Sequence, residues 1–239
     1  MKMLILYITL LFNDVPHTDV TSIPSDEPDI TNEIFYHIYN QDFGVATQLL
    51  KDQKQNLRHT SYHWLLCDLE WWKAVAQNNP ETYHDLETFL LQELDRVTPE
   101  THEQELLELI YLNYLVRLKS IQKERVKMLQ YFFKIESFIK HFDASRLEGR
   151  YKSFYQIYLN IFKLTKQKYL PFTGIKKEPL INDLKQMTNS EELIDKTLAT
   201  YFLVKVYLEI TEEPYLVKGF VDDLVALYPR NKTFAGLNL

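Results

Sequence analysis

Seven positions near the C-terminal end keep a helical rhythm. Tyr201, Val204 and Leu208 are followed by Val217, Val221, Leu224 and Pro229, at offsets of 0, 3, 7, 16, 20, 23 and 28. Apolar residues three and four apart share one face of an α-helix. The two runs therefore predict two amphipathic helices. Glu212, Glu213 and Pro214 form the turn between them, and Pro229 closes the second. The expected unit is a helix hairpin over 201–229.

Weaker versions of the same rhythm begin at Thr31, where Thr31 or Asn32 is the expected helix cap. Phe35, Ile38 and Tyr39 mark one helix, and Phe43, Ala46, Leu49 and Leu50 the next. A longer helix carries Tyr62, Leu65, Leu66, Leu69 and Trp72 and stops at Asn78 and Asn79. Pro80 suits the first turn of the following helix, which carries Tyr83, Leu86, Leu90 and Leu94. Two further stripes run from Leu106 to Leu118 and from Met128 to Phe142. A long helix is expected over 144–169, a short one over 179–187, and a last hairpin whose cap is Ser190. No period-2 alternation interrupts this series. The fold class is all-α, with about ten helices in five hairpins.

The N-terminus departs from the pattern. Residues 1–12 hold one lysine and then a ten-residue apolar run, too short for a span of roughly 20 residues. They fit the core of a secretory signal peptide, although no small-x-small cleavage triplet follows. The other reading is an N-terminal segment docked on the core. Residues 13–30 contain Pro16, Pro24 and Pro28 with five acids, and are expected to be a linker to a single domain over 31–239.

Composition narrows the function classes. The five glycines are widely scattered, which excludes a Walker loop and a dinucleotide fingerprint. The single cysteine, Cys67, excludes an intramolecular disulfide and an all-cysteine zinc site. Residues 1–110 hold 6 basic and 19 acidic side chains, whereas residues 117–177 hold 15 and 4. Such a dipolar chain is suited to docking an anionic surface, or its halves attract each other.

The hairpins resemble degenerate tetratricopeptide repeats. Tyr201, Val204 and Leu208 take the positions of that family's first helix. Val217, Val221, Leu224 and Pro229 take those of its second, and Phe43, Ala46 and Leu50 match a second helix in the first hairpin. Lys205 stands where the family has a small residue, and the middle hairpins exceed its 34-residue unit. The resemblance implies a right-handed α-solenoid of about five hairpins that binds a peptide or protein on a concave face. An irregular α-helical bundle gives similar spacing and is the alternative.

Three constellations carry candidate chemistry. His59, His63 and Cys67 recur at i, i+4 and i+8, a spacing that suits zinc if all three are helical and a fourth ligand exists. Against this, His59 is expected to precede a cap at Thr60 or Ser61, and a buried thiol is the plainer reading of Cys67. Trp64, Trp71 and Trp72 offer either a core cluster or an aromatic platform for a peptide. The third is a basic-aromatic helix bearing Arg146, Arg150, Tyr151, Lys152, Tyr155, Lys163 and Lys166, with Tyr158 and Lys168. Interleaved cations and rings hold nucleic acid or an acidic peptide; otherwise they form a solvated face with its tyrosines in the core. No nucleophile elbow or paired catalytic carboxylates are evident. The expectation is a non-enzymatic scaffold or adaptor without a cofactor, exported and part of a bacterial cell-envelope assembly, such as a membrane-associated complex. Its partner is a protein or acidic peptide. The alternative is a cytoplasmic, nucleic-acid-associated protein using residues 117–177.

Overall fold

A computed structural model of the chain describes residues 27–237. The expected signal segment, residues 1–12, and most of the linker lie outside the described residues. Helix α1 (Glu27–Tyr39) is followed by α2 (Phe43–Asp52), α3 (His59–Gln77), α4 (Pro80–Asp95) and α5 (His102–Ile121). Then come α6 (Arg125–His141), α7 (Gly149–Tyr169), α8 (Lys177–Met187), α9 (Leu193–Glu209), α10 (Lys218–Leu227) and α11 (Lys232–Ala235). Among the described residues there is no strand, and no helix is long and apolar enough to cross a membrane.

Local chemistry explains most boundaries. Pro80 opens α4, and the Asn79 side chain accepts the Thr82 N–H at 2.9 Å. Thr101 and Gln104 close a capping box on α5. Asn78 ends α3 in the left-handed region, which asparagine tolerates. Four boundaries differ from expectation. α1 starts at Glu27, so Thr31 is buried inside the helix instead of capping it, and residues 27–30 belong to the domain. α3 starts at His59, before Thr60 and Ser61. α9 starts at Leu193, and Ser190 instead accepts the Glu192 N–H at 3.2 Å. The run from Ala144 divides into a 3₁₀ turn (Ala144–Arg146) and α7, whose first residue, Gly149, takes a φ of 50° that disfavours a side chain. The short α11 has too few apolar positions for a period to be read.

The hairpins form two layers. The odd helices α3, α5, α7 and α9 are buried around most of their circumference, whereas α2, α8 and α10 each bury a single stripe. Successive inner helices pack on one another from α1 through α9, as in a stack of hairpins. α9 also packs on α1, and α11 on α3, which closes the stack on itself. The helical-bundle description fits this closure as well. Inner-helix side chains therefore meet one another along the axis, where an open stack would present a concave groove.

The C-terminal segment secures the closure. Asn231 donates to the Tyr39 carbonyl, and the Arg230 N–H donates to Asn40 Oδ1 at 3.0 Å. Gln41 donates to Asn231 Oδ1 at 3.2 Å and to Thr233 Oγ1 at 3.1 Å, and accepts the Lys232 N–H. Phe234, fully buried, lies against Trp72, Tyr201 and Tyr228 with ring centroids 5.3, 5.8 and 5.9 Å away. Truncating a buried phenylalanine costs on the order of 3–5 kcal/mol. Phe234→Ala is expected to lose that much in urea unfolding followed by circular dichroism, far more than a change on the exposed rim of α4.

Candidate functional site

The axis holds a polar cluster with a contribution from every inner helix. Tyr39 comes from α1, Asp68 from α3, Tyr114 and Arg117 from α5, Tyr158 from α7 and Tyr201 from α9. Asp68 is fully buried; Tyr114 donates to its Oδ1, while Oδ2 is buried without a hydrogen-bond partner. Burial pushes its carboxyl up to about 7, against the pull of the Tyr114 hydrogen bond, the Arg117 charge and the Tyr39 hydroxyl. Half-buried Arg117 sits among rings. Its guanidinium is 4.0 Å from the Trp71 ring centre and 5.0 Å from those of Tyr114 and Phe202, and it donates to the Tyr201 hydroxyl at 3.3 Å. These are cation–π distances.

This arrangement holds helices together more readily than it performs catalysis. A catalytic carboxylate must reach substrate, and Asp68 is enclosed by side chains of its own core. Neither the buried aspartate nor the caged arginine belongs to a motif that sequence reasoning picks out. The signal available is a charge on an otherwise apolar helix face: Asp68 between Leu65 and Trp72, and Arg117 between Tyr114 and Ser120.

The three tryptophans are core residues, each no more than 2% exposed, so they form no platform for a partner. Trp64 packs on Phe154, Trp71 on Tyr114, and Trp72 on Tyr39 and Tyr201. The zinc reading of His59, His63 and Cys67 also fails. Cys67 is fully buried, and burial raises its thiol pKa well above the usual range. His63 Nδ1 lies 2.8 Å from Glu93 Oε2, and Arg96 holds the other carboxylate oxygen at 2.9 Å. His59 stacks beside His63 at 4.3 Å, its pKa lowered by burial and then by that neighbour. Among the described residues no group of three or more His, Cys, Asp or Glu is placed to hold a metal ion.

The basic-aromatic set does not form one surface. Tyr151 and Tyr158 are buried towards the ring interior, and Tyr155 packs on Phe142 at 5.3 Å. Arg146 and Lys152 are exposed, Lys163 is half-buried, and Lys166 is paired with Glu136 of α6. Arg150 and Tyr151 line a cleft at the start of α7. The exposed basic face lies instead on α6. There Val126, Gln130, Phe133 and Ser137, spaced 4, 3 and 4 apart, all face outward beside Arg125, Lys127, Lys134 and Lys140. Val126 is 72% and Phe133 65% exposed. α6 packs inward on α5 and, through Phe132, meets Phe162 of α7 at 5.6 Å. The sequence signal for this face is Val126 and Phe133 falling out of phase with the buried stripe of Met128, Tyr131, Phe132 and Ile135.

Comparison of the chain with protein-family models, with curated proteins and with solved structures returns no match. The resemblance to tetratricopeptide repeats thus stands on the hairpin pattern alone.

Asp68 gives the fold a pH dependence of determined sign. Its folded pKa of about 7 lies above its ordinary value of 3.8. Between those values the folded chain keeps a proton that the unfolded chain releases. Stability from this group is therefore complete below about pH 4, falls as pH rises to about 7, and is level beyond. The span corresponds to about 4 kcal/mol at ~1.4 kcal/mol per unit. Asp68→Asn is expected to flatten this slope and to be more favourable at pH 8 than at pH 4, measured by urea unfolding across pH.

Proposed function

We propose that this chain is a non-catalytic helical scaffold that docks an acidic protein or peptide on the outer face of α6. The observation that carries the reading is the exposed line of Val126 and Phe133 among unburied cations. A large exposed aromatic supplies an apolar anchor, and a surrounding rim of charge steers a partner of opposite sign. Four cations stand on this face: Lys127 is paired with Glu124 at 2.7 Å, Arg125, Lys134 and Lys140 have no ion pair among the described residues, and Glu136, the only acid within α6, is engaged by Lys166. An acidic segment with an apolar residue at its centre is the complementary shape. The closed ring behind the face favours this role, because a rigid support lowers the ordering cost of binding. An envelope location for the assembly rests only on the signal-like pattern of residues 1–12.

The reading is tested by placing a photo-crosslinking amino acid at Phe133 and, as a control, at His84 on the exposed side of α4. Defined protein adducts are expected at 133 and not at 84, and they should fade with added salt and with Lys134→Glu/Lys140→Glu. Phe133→Ala is expected to weaken capture of the crosslinked partner by about tenfold while leaving stability within about 0.5 kcal/mol. Equal labelling at both positions would sink the proposal. Nucleic-acid adducts at 133 would favour the alternative reading of the basic region instead.

A further inference from the structure

Four inner helices begin at one end of the ring. The first turns of α3, α5, α7 and α9 surround a cleft of about 610 Å³, lined by residues of all four. The starts of α3, α7 and α9 carry Arg58, Glu148 and Glu192 at the cap position, and none of these side chains makes a capping hydrogen bond. First-turn N–H groups without caps favour an anionic group bound against the helix end.

The lining is not a uniform acidic patch. Glu103 is engaged by Arg58 at 3.3 Å. Asp195, in the first turn of α9, lines the cleft at only 7% exposure, and its Oδ1 is buried with no hydrogen-bond partner. Burial raises its pKa, while the Ser153 hydroxyl and the Arg150 charge act in the opposite direction. Half-buried Arg150 lines the same cleft, and its charge is felt by Asp195 without an ion pair between them. A buried carboxylate oxygen without a donor is costly, and a donor brought by a ligand relieves that cost. The carboxylates of the cleft do not converge on a shared metal ion, since no such group occurs among the described residues. Among the described residues, the cleft thus brings together a buried Asp195 oxygen lacking a donor and an Arg150 guanidinium lacking a carboxylate, on a lining that also bears the exposed Glu148 and Glu192.

We propose that this cleft binds a small zwitterion bearing a primary ammonium and a carboxylate: an α-amino acid, or a short peptide with free termini. The ammonium meets the Asp195 carboxylate. The carboxylate meets the Arg150 guanidinium and the N–H groups that open α7. This site is separate from the α6 face and does not depend on the scaffold reading.

The test is calorimetric titration of the full chain with L-alanine and with trialanine, each free, N-acetylated and C-amidated. At least one free probe is expected to bind saturably. N-acetylation or Asp195→Asn should each weaken it by about tenfold or more, and C-amidation or Arg150→Gln by a similar factor. Binding of L-alanine alone identifies an amino-acid site, and binding of trialanine alone a peptide site; either upholds the proposal. Phe133→Ala should bind like the parent, which separates this site from α6. Failure of both free probes, or blocked probes binding as well as free ones, overturns it. Should Asp195→Asn not fold, the blocked probes and Arg150→Gln decide the matter alone.

Discussion

A carboxylate at the axis of five helices must be satisfied by those helices or not at all. Asp68 draws on Tyr114 for a hydrogen bond and on Arg117 for charge, with the Tyr39 hydroxyl lowering its pKa in the same direction, all from the neighbouring inner helices α1 and α5. Arg117 in turn is held by rings from α3, α5 and α9. Arg117 meets the Tyr201 and Phe202 rings of α9 only when the stack has closed, and a half-assembled ring would leave its charge without them. The polar axis thus ties the hairpins to a single arrangement, while the aromatic layers around it supply most of the burial. Its cost is a carboxyl whose pKa reaches about 7, so the interaction that specifies the ring also weakens it as pH rises.

Closure shapes what the surface can do. With inner helices facing one another, the concave groove implied by the solenoid reading has no counterpart at the axis. The accessible features lie at the ends and on the outer layer. At one end, inner helices bring their uncapped N-termini together around Asp195 and Arg150. On the outside, α6 displays Phe133 and Val126. Both features stand on the closed ring, and both are local departures from an otherwise consistent pattern of apolar-in and polar-out. Such departures from local consistency are where functional sites are expected.

Much of this architecture is legible in the chain. Three- and four-residue spacing marks ten of the eleven helices, and the stop at Asn78 and the restart at Asn79–Pro80 fall where their chemistry predicts. Burial of Trp64, Trp71 and Trp72 follows the plainer of two readings. Closure is not legible, because it depends on residues 190 positions apart, such as Gln41 with Asn231. The basic-aromatic helix misleads for a related reason. Its cations and rings share a stretch of sequence, but α7 is an inner helix, so Tyr151 and Tyr158 point inward while Lys152 points out. Which helices are inner and which outer is information that local spacing lacks, and it moves the exposed basic face from α7 to α6.

The ring exists only if the first and last hairpins are joined. Gln41→Cys and Thr233→Cys place thiols where the two side chains now share a hydrogen bond of 3.1 Å, and buried Cys67 stays out of reach of reagent. Treatment of the dilute native double variant with a short bis-maleimide should give an internally crosslinked monomer, and urea should abolish that product. A native monomer that remains uncrosslinked while both thiols react singly would show an open stack and contradict the account.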